Sequence, residues 1–130
     1  MKIYLAAPWD ARDRVVEFAS LLEQEGHTIT EKWWLHHDVG AYPHTATGKD
    51  LDELQNQAFK DIIGVKHADR FVLLQLGKSE GKAVETGIAL ECRIPICVFS
   101  PEALYGNLFH YLPQVKFTSR WQEVLGWLKS

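Results

Sequence analysis

The chain contains 130 residues, of which 46% are hydrophobic and 24% are charged, as in ordinary globular domains. Its formal net charge of −3 argues against nucleic-acid binding, which usually requires a basic surface. The sequence shows neither an apolar stretch of membrane-spanning length nor a signal peptide, so we expect no membrane partner. Cys92 and Cys97 lack the spacing of a metal or redox site, so we expect reduced thiols and a cytoplasmic protein.

Short apolar runs bounded by turn residues alternate along the chain with segments whose apolar residues recur every three or four positions. The first pattern predicts buried strands, and the second predicts helices. The predicted strands are Lys2–Ala6, Thr28–Trp33, Arg70–Leu76, Ile94–Phe99 and Val115–Phe117. The predicted helices are Arg12–Gln24 with Gly26 as its stop, Leu51–Val65, Ala83–Cys92, a stretch at Pro101–Leu112, and a final helix capped by Ser119 with Gln122 at the capping-box position.

Strands that alternate with helices along a chain are typical of parallel sheets covered by helices on both faces. The fold class is therefore predicted to be α/β. We expect a single doubly wound domain over residues 1–130, Rossmann- or flavodoxin-like, with a mostly parallel five-stranded sheet. In such open sheets, ligands bind outside the carboxyl ends of the strands.

The segment Trp34–Lys49 is rich in histidine, glycine and aromatic residues and is longer than most connections, which favours a substrate lid or disorder. Adjacent histidines in a loop rarely match the geometry of a metal site, so we expect neither a metal nor a cofactor. The histidines and the acid weighed for such a site are His36, His37, Asp38 and His44. If the strand before this segment continues through Trp33, only one of Trp33 and Trp34 can point inward, and the other is predicted to face the cleft.

Glu85 follows the third predicted strand, after a break at Gly77 and Gly81, and we expect it in the first turn of the next helix. That position aims a carboxylate at the cleft, where an ionised acid can act as a nucleophile. The alternative is that Glu85 only complements the helix dipole, as acids in a first turn often do.

The residues before Glu85 superficially resemble a phosphate-binding P-loop. The spacing is one residue short, Ala83 replaces the hydroxyl residue, and Glu80 would repel phosphate, so nucleoside triphosphate hydrolysis is not expected. Ser79 at the start of a helix can still hold a single phosphate or a sugar hydroxyl.

Four motifs together give the chain its resemblance to the nucleoside 2-deoxyribosyltransferase superfamily, which includes the 2′-deoxynucleoside 5′-monophosphate N-hydrolases. Their order and spacing extend over nearly the whole chain. They are Ile3-Tyr4-Leu5-Ala6-Ala7-Pro8-Trp9, Ala68-Asp69, Gly81-x-x-x-Glu85-x-Gly87-x-Ala89 and Ile94-Pro95-Ile96.

The resemblance implies a role for each matched residue. Glu85 matches the nucleophile, Asp61 the carboxylate that assists departure and arrival of the base, and Tyr4 the residue that orients the nucleophile. Trp9 matches a position that lines the base pocket in the transferases. Further candidates for substrate binding are Ser79, Gly81 and Asn107. In the transferases a neighbouring subunit completes each site, which implies a homodimer or a higher homo-oligomer. Asn107 is a candidate for the residue that the neighbouring subunit contributes.

The implied chemistry is cleavage of an N-glycosidic bond through an oxocarbenium-like state, as in retaining glycosidases. Glu85 would attack C1′ to form a deoxyribosyl ester, while Asp61 would protonate the leaving base and later deprotonate the acceptor. The implied partners are a nucleoside or nucleotide substrate and a free nucleobase. From the residues alone, Tyr4 is as well explained by strand packing, and Asp61 by a solvated helix face.

The departures from the family pattern leave three hypotheses open. Ser79 stands where the monophosphate hydrolases carry a phosphate-binding serine, whereas the loop at Ala7-Pro8-Trp9 lacks their glycines and keeps the transferases' tryptophan. Arg12 or Arg14 could also reach a phosphate. We favour a deoxyribosyltransferase acting on nucleosides, with a monophosphate N-hydrolase and a non-catalytic nucleotide-binding or signalling module as the alternatives.

Overall fold

Five strands pair side by side, all parallel, in the order β2-β1-β3-β4-β5. They are β1 (Lys2–Ala6), β2 (Thr28–Ile29), β3 (Arg70–Leu74), β4 (Ile96–Phe99) and β5 (Val115–Thr118). This computed structural model describes residues 1–36, 49–102 and 106–130, without the side chains of 49 and 50. The strand order reverses direction between β1 and β3, which is where doubly wound folds bind ligands. The predicted α/β fold with a five-stranded parallel sheet is confirmed.

The described residues form four α-helices, α1 (Arg12–Gln24), α2 (Lys49–Lys66), α3 (Glu80–Glu91) and α4 (Trp121–Lys129), of which the first three lie between strands and α4 follows β5. The predicted stop of α1 is confirmed, because Gly26 adopts a φ of 90°, a conformation that favours glycine. Within the described ranges, no helix is long and apolar enough to cross a membrane.

The central strands β1, β3 and β4 form the middle of the core. Their apolar residues are buried on both faces of the sheet, as expected for strands covered by helices on each side. Val15, Leu22, Val65, Ala89 and Leu128 contribute the buried positions of the surrounding helices. Leu51 and Ala58, two apolar residues of α2, are exposed.

The second strand is shorter than predicted. It ends at Ile29, and a 3₁₀ turn at Trp33–Leu35 follows in place of the extended run through Trp33. The turn removes the alternation of a strand, so Trp33 and Trp34 are both buried and contact each other edge to face. The prediction that one of them faces a cleft is wrong. Residues 37–48, which make up most of the proposed lid and include His37, Asp38 and His44, lie outside the described residues.

The region before the last helix also differs from the prediction. The described part of Pro101–Leu112 contains a 3₁₀ turn at Leu108–Tyr111 and no α-helix. Arg120, not Ser119, is the N-cap of α4 and provides no side-chain cap. The Thr118 hydroxyl accepts from the Arg120 amide and donates to Glu123, so this pair replaces the predicted capping box.

Cys97 is buried in β4, and Cys92 is exposed at the end of α3. Both thiols are free. Of the two, Cys97 lies in the core and Cys92 does not.

Candidate active site

A hydrogen bond between Tyr4 and Glu85 joins the centre of the sheet to α3. The Tyr4 hydroxyl donates to Glu85 Oε2 at 2.6 Å. Tyr4 is fully buried on β1, and its ring stacks on Phe71 of β3 with a centroid distance of 5.6 Å. Burial raises the pKa of Tyr4 far above its usual value, and the charge of Glu85 raises it further, so the hydroxyl keeps its proton and remains a donor.

Helix α3 begins three residues earlier than the sequence predicted, and Glu85 therefore lies in its second turn. Ser79 is the N-cap, and its Oγ accepts a hydrogen bond from the Lys82 amide. Gly81 lies inside the first turn and does not break the helix. Because Glu85 is past the first turn, the free N–H groups of the helix start do not surround its carboxyl group.

Asp61 on α2 is the second carboxyl group of the site. Gln57, one turn earlier, donates from Nε2 to Asp61 Oδ1 at 2.7 Å. The pKa of Asp61 is raised to about 6, chiefly by burial; the hydrogen bond from Gln57 lowers it and the charge of Glu31 raises it. An acid with this pKa can donate a proton near neutral pH.

The two carboxyl groups interact electrostatically. The pKa of Glu85 is raised to about 8, chiefly by burial; the hydrogen bond from Tyr4 lowers it and the charge of Asp61 raises it. Two interacting acids with raised pKa values share protons over the neutral range, which is a common arrangement at catalytic sites.

Gly64 allows α2 to pack closely against β1. A Cβ at this position would lie 2.9 Å from Glu31 Cβ and 3.2 Å from the ring of Tyr4. The Thr30 hydroxyl donates to the Gly64 carbonyl at 2.8 Å and holds the helix at this distance. The close approach places Asp61 near enough to Tyr4 and Glu85 for its charge to raise both pKa values.

Glu31 is a member of this acidic group that the sequence analysis missed. Its Oε2 is buried and has no hydrogen-bond partner among the described residues, and its charge raises the pKa of both Asp61 and Tyr4. No sequence signal marked it, because Glu31 was placed inside a predicted strand where an acid has no evident role.

Trp9, the candidate for the base pocket, follows β1 in a short 3₁₀ turn. It is partly buried, with its ring 6.1 Å from that of Trp33, and the Arg12 guanidinium lies over it at 4.8 Å. Arg12 also donates to the Trp9 carbonyl, and Arg14 pairs with Glu102 at 3.1 Å. Both arginines considered for phosphate binding therefore already have partners.

Two of the other binding candidates meet across a separate cleft on the β4 side of α3. Ser79 and Asn107 line this cleft, which has a volume of about 510 Å³. Asn107 Oδ1 accepts from the Phe109 amide and caps the turn Leu108–Tyr111. Gly81 is exposed in the first turn of α3. The remaining lining residues are Gln75, Lys78, Glu80, Lys82, Ala83 and Gly106.

Lys82 is the second residue that the sequence analysis missed. Its ammonium donates to Gln75 Oε1 at 2.6 Å, and the side chain is buried. The only signal was its place in the P-loop-like segment, whose spacing does not match a P-loop.

Within the described ranges, no group of three or more histidine, cysteine, aspartate or glutamate residues could hold a metal ion.

Two solved structures share this fold. The CMP N-glycosidase of Clostridium botulinum aligns with a TM-score of 0.62 at 18% identity, over 100% of both chains. The 2-deoxyribosyltransferase of Bacillus psychrosaccharolyticus aligns with a TM-score of 0.67 at 21% identity, over 95% of this chain and 90% of that chain. The sequence matches no protein-family model and no curated protein. At these identities the likeness establishes a common fold, in agreement with the resemblance drawn from the motifs.

Proposed function

We propose that this protein cleaves the N-glycosidic bond of 2′-deoxynucleosides through a deoxyribosyl ester on Glu85 and transfers the sugar to another nucleobase. The observation that carries the proposal is the 2.6 Å hydrogen bond from Tyr4 to Glu85, beside a second carboxyl group with a raised pKa. A carboxyl group held in one orientation next to an acid of pKa about 6 suits nucleophilic attack coupled to protonation of a leaving group.

In the first step, an oxygen of Glu85 attacks C1′ and forms the ester bond. The C1′–N bond breaks, its electron pair stays on the base nitrogen, and Asp61 supplies a proton to the base. Tyr4 keeps the attacking carboxylate in position through its hydroxyl. The positive charge that develops at the anomeric carbon favours the ionised form of Glu85 in this step.

In the second step, a nitrogen of the acceptor base attacks C1′ and the ester bond breaks. Glu85 leaves as a carboxylate, and Asp61 takes the proton that the acceptor nitrogen releases. If water attacks in place of a base, the same steps give free deoxyribose, so the two reactions differ only in the acceptor. We propose Trp9 as one wall of the base pocket, because it lies at the carboxyl end of β1.

The reaction requires ionised Glu85 and protonated Asp61 at the same time. With pKa values of about 8 and about 6, the pair titrates in two coupled steps on either side of neutrality. We expect a bell-shaped dependence of kcat/KM on pH, with limbs near 6 and 8 and a maximum close to pH 7. A flat profile between pH 5 and 9 would contradict these roles.

A second candidate is hydrolysis of 2′-deoxynucleoside 5′-monophosphates with the same nucleophile. Ser79 favours it, because this side chain caps α3 at the edge of a cleft that also contains a buried lysine. The similarity of the fold to a CMP N-glycosidase is in keeping with a nucleotide substrate.

The test is intact mass spectrometry after mixing the protein with a 2′-deoxynucleoside or its 5′-monophosphate. We expect an adduct of one deoxyribosyl unit, or one deoxyribosyl phosphate unit, on the peptide that contains Glu85 and none on Glu85→Ala. Exchange of bases in the presence of a free acceptor supports transfer, and release of base from the monophosphate alone supports hydrolysis. Binding without turnover that is unchanged in Glu85→Ala would overturn both and favour a non-catalytic module.

We also propose a homo-oligomer whose sites are shared between subunits. Mixing Glu85→Ala with Asn107→Ala subunits tests it, because a shared site would be restored at one of the two sites of each mixed dimer. Activity that stays at the level of the separate variants would contradict sharing through Asn107. Analytical ultracentrifugation gives the oligomeric state itself.

A further inference from the structure

Glu31 contributes a buried carboxylate oxygen that has no hydrogen-bond donor. The residue follows β2 at the carboxyl edge of the sheet, next to β1. Its Oε2 is buried and accepts no hydrogen bond from the described residues, although buried side-chain oxygens are usually paired. An unpaired carboxylate oxygen in the protein interior costs stability, so this side chain requires a functional reason.

The packing of α2 brings Asp61 close to this side chain. A Cβ added at Gly64 would lie 2.9 Å from the Cβ of Glu31, so the two backbones are in contact there. Asp61 precedes Gly64 by three residues and therefore lies on the same face of α2, about 4.5 Å away along the helix axis. The side chain of Glu31 thus starts one helical turn from the Asp61 carboxyl group.

The cations next to these two acids in the sequence have other surroundings. Lys32 follows Glu31 but pairs with Glu23 of α1 at 3.0 Å. Lys60 precedes Asp61 and is exposed. Within the described ranges, neither Glu31 nor Asp61 forms an ion pair. The negative charge of Glu31 therefore acts on Asp61 without a cation between them.

Two neighbours act on Asp61 in opposite directions. Gln57 donates to Oδ1 at 2.7 Å and lowers the pKa of Asp61, because it stabilises the ionised form. The charge of Glu31 raises that pKa, because a second negative charge disfavours the ionised form. Tyr4 of β1 and Glu85 of α3 complete the group, and the charge of Asp61 raises the pKa of each. Among the described groups that shift the pKa of Glu85, Glu31 is not included.

We propose that Glu31 is a positioning residue that keeps the transferable proton on Asp61 until the base departs. The inference rests on the proposed cleavage at Glu85. In the first step the proton moves from Asp61 to the base nitrogen, which leaves two carboxylates side by side. Their repulsion makes Asp61 a stronger base, so it takes up the proton that the acceptor nitrogen releases in the second step. Glu31 itself neither exchanges a proton nor forms a covalent bond.

The consequence is a contribution to the rate that depends on pH. The proposed reaction uses Asp61 with its proton bound, and the raised pKa of about 6 keeps part of the protein in this form at neutral pH. Glu31→Gln retains the size of the side chain and removes its charge, so less Asp61 carries a proton at pH 8. Well below the pKa, Asp61 is protonated with or without the charge of Glu31.

The first experiment measures kcat/KM from pH 5 to 9 on the substrate that shows turnover. We expect Glu31→Gln to lose about three- to tenfold at pH 8 and less than twofold at pH 5, with the acid limb at lower pH and the alkaline limb unmoved. Glu31→Asp keeps the charge and should restore the acid limb. Glu17→Gln removes a charge from an exposed position of α1 and should leave the profile unchanged.

A loss of the same size at every pH would show that Glu31 acts through packing alone and would overturn the inference. The same holds if Glu31→Asp loses as much as Glu31→Gln at pH 8, since the charge would then be without effect.

Carboxyl carbon NMR separates this inference from the proposed reaction, because it requires no turnover. The Asp61 signal, identified by its loss in Asp61→Asn, should titrate with a midpoint near 6 in the wild type and in Glu17→Gln. We expect a lower midpoint in Glu31→Gln. If no substrate turns over but the midpoint moves, the role of Glu31 stands and the proposed reaction fails. A midpoint that Glu31→Gln leaves in place overturns the inference, even where the enzyme is active.

Discussion

The two sides of α3 bury ionisable groups of opposite sign. On the β1 side, Glu85 lies with Asp61 and Tyr4 in an acidic group, and burial raises all three pKa values. On the β4 side, Lys82 lies against the neutral Gln75, and burial lowers its pKa. The same loss of water therefore moves both groups towards their neutral forms.

The two sides differ in the groups that can stabilise the charged form of the buried residue, Glu85 on one side and Lys82 on the other. The acidic side has a donor in place, since the Tyr4 hydroxyl already points at Glu85. The cationic side has only a neutral acceptor and an open cleft. The first arrangement suits a reacting group that the protein itself holds in position.

The largest expected effect comes from removing the nucleophile. Glu85→Gln retains the size of the side chain but cannot form the ester, so we expect kcat/KM to fall by at least about a thousandfold. Steady-state assays on the substrate that shows turnover provide the measurement. Glu91→Gln, at an exposed position on the same helix, is the matched control and should keep full activity. Retained activity in Glu85→Gln would show that Glu85 is not the nucleophile.

Removing the donor on the acidic side should have a smaller effect. Tyr4→Phe deletes the hydrogen bond to Glu85, and a hydrogen bond to a charged group contributes about 1.5–3 kcal/mol, so we expect kcat to fall about ten- to a hundredfold. The pKa of Glu85 should also rise, because that hydrogen bond lowers it. The alkaline limb of the pH–rate profile should therefore move upward, and an unmoved limb would show that Tyr4 acts through packing alone.

The change of stability with pH should have opposite signs for Glu85 and for Lys82. The folded-state pKa of Glu85 is raised to about 8, so the folded protein binds more protons than the unfolded chain between the ordinary pKa of 4.5 and about 8, and stability falls as pH rises through this range. Glu85→Gln should thus gain stability over the wild type at pH 9, on the order of 2 kcal/mol, with little gain at pH 4.

Lys82→Met should show the opposite trend. The folded-state pKa of Lys82 is lowered, so the folded protein binds fewer protons than the unfolded chain, and the buried charge destabilises it most at low pH. The gain of this variant should grow as pH falls. Urea denaturation across the pH range provides both measurements. Parallel trends in the two variants would show that the pKa values of Glu85 and Lys82 do not shift in opposite directions.

A further prediction concerns the close packing of α2 against β1 at Gly64, which brings Asp61 to the acidic group. Gly64→Ala would force a Cβ to within 2.9 Å of Glu31 and 3.2 Å of Tyr4, so we expect a loss of about 1–3 kcal/mol in unfolding free energy. Gly87→Ala on α3 is the matched control, because nothing lies within 4 Å of its added Cβ. The unfolding free energy of that variant should increase by up to about 1 kcal/mol, because alanine has a higher helix propensity than glycine. Equal effects in the two variants would show that α2 has room to move.

Much of the fold followed from local patterns in the sequence. The bounds of β1 and α1 agree with the prediction, and β4 and β5 lie within one or two residues of it. The errors at Thr28–Trp33 and Pro101–Leu112 have a common cause, since in both places a 3₁₀ turn carries apolar residues that resemble a strand or a helix. The start of α3 was misplaced because Gly81 was taken as a break, although Ser79 caps the helix two residues earlier.

For the site, local patterns in the sequence placed Tyr4 on the first strand, Asp61 on the second helix and Glu85 after the third strand, and the family resemblance implied that the three act together. Periodicity and the spacing of motifs are properties of neighbouring residues, so one chain is enough to detect them. Only the tertiary structure decided that Glu31 lies beside Asp61, that Lys82 donates to Gln75, and which pKa values rise or fall. Those properties depend on which distant elements exclude water from a group, and no local pattern encodes that exclusion.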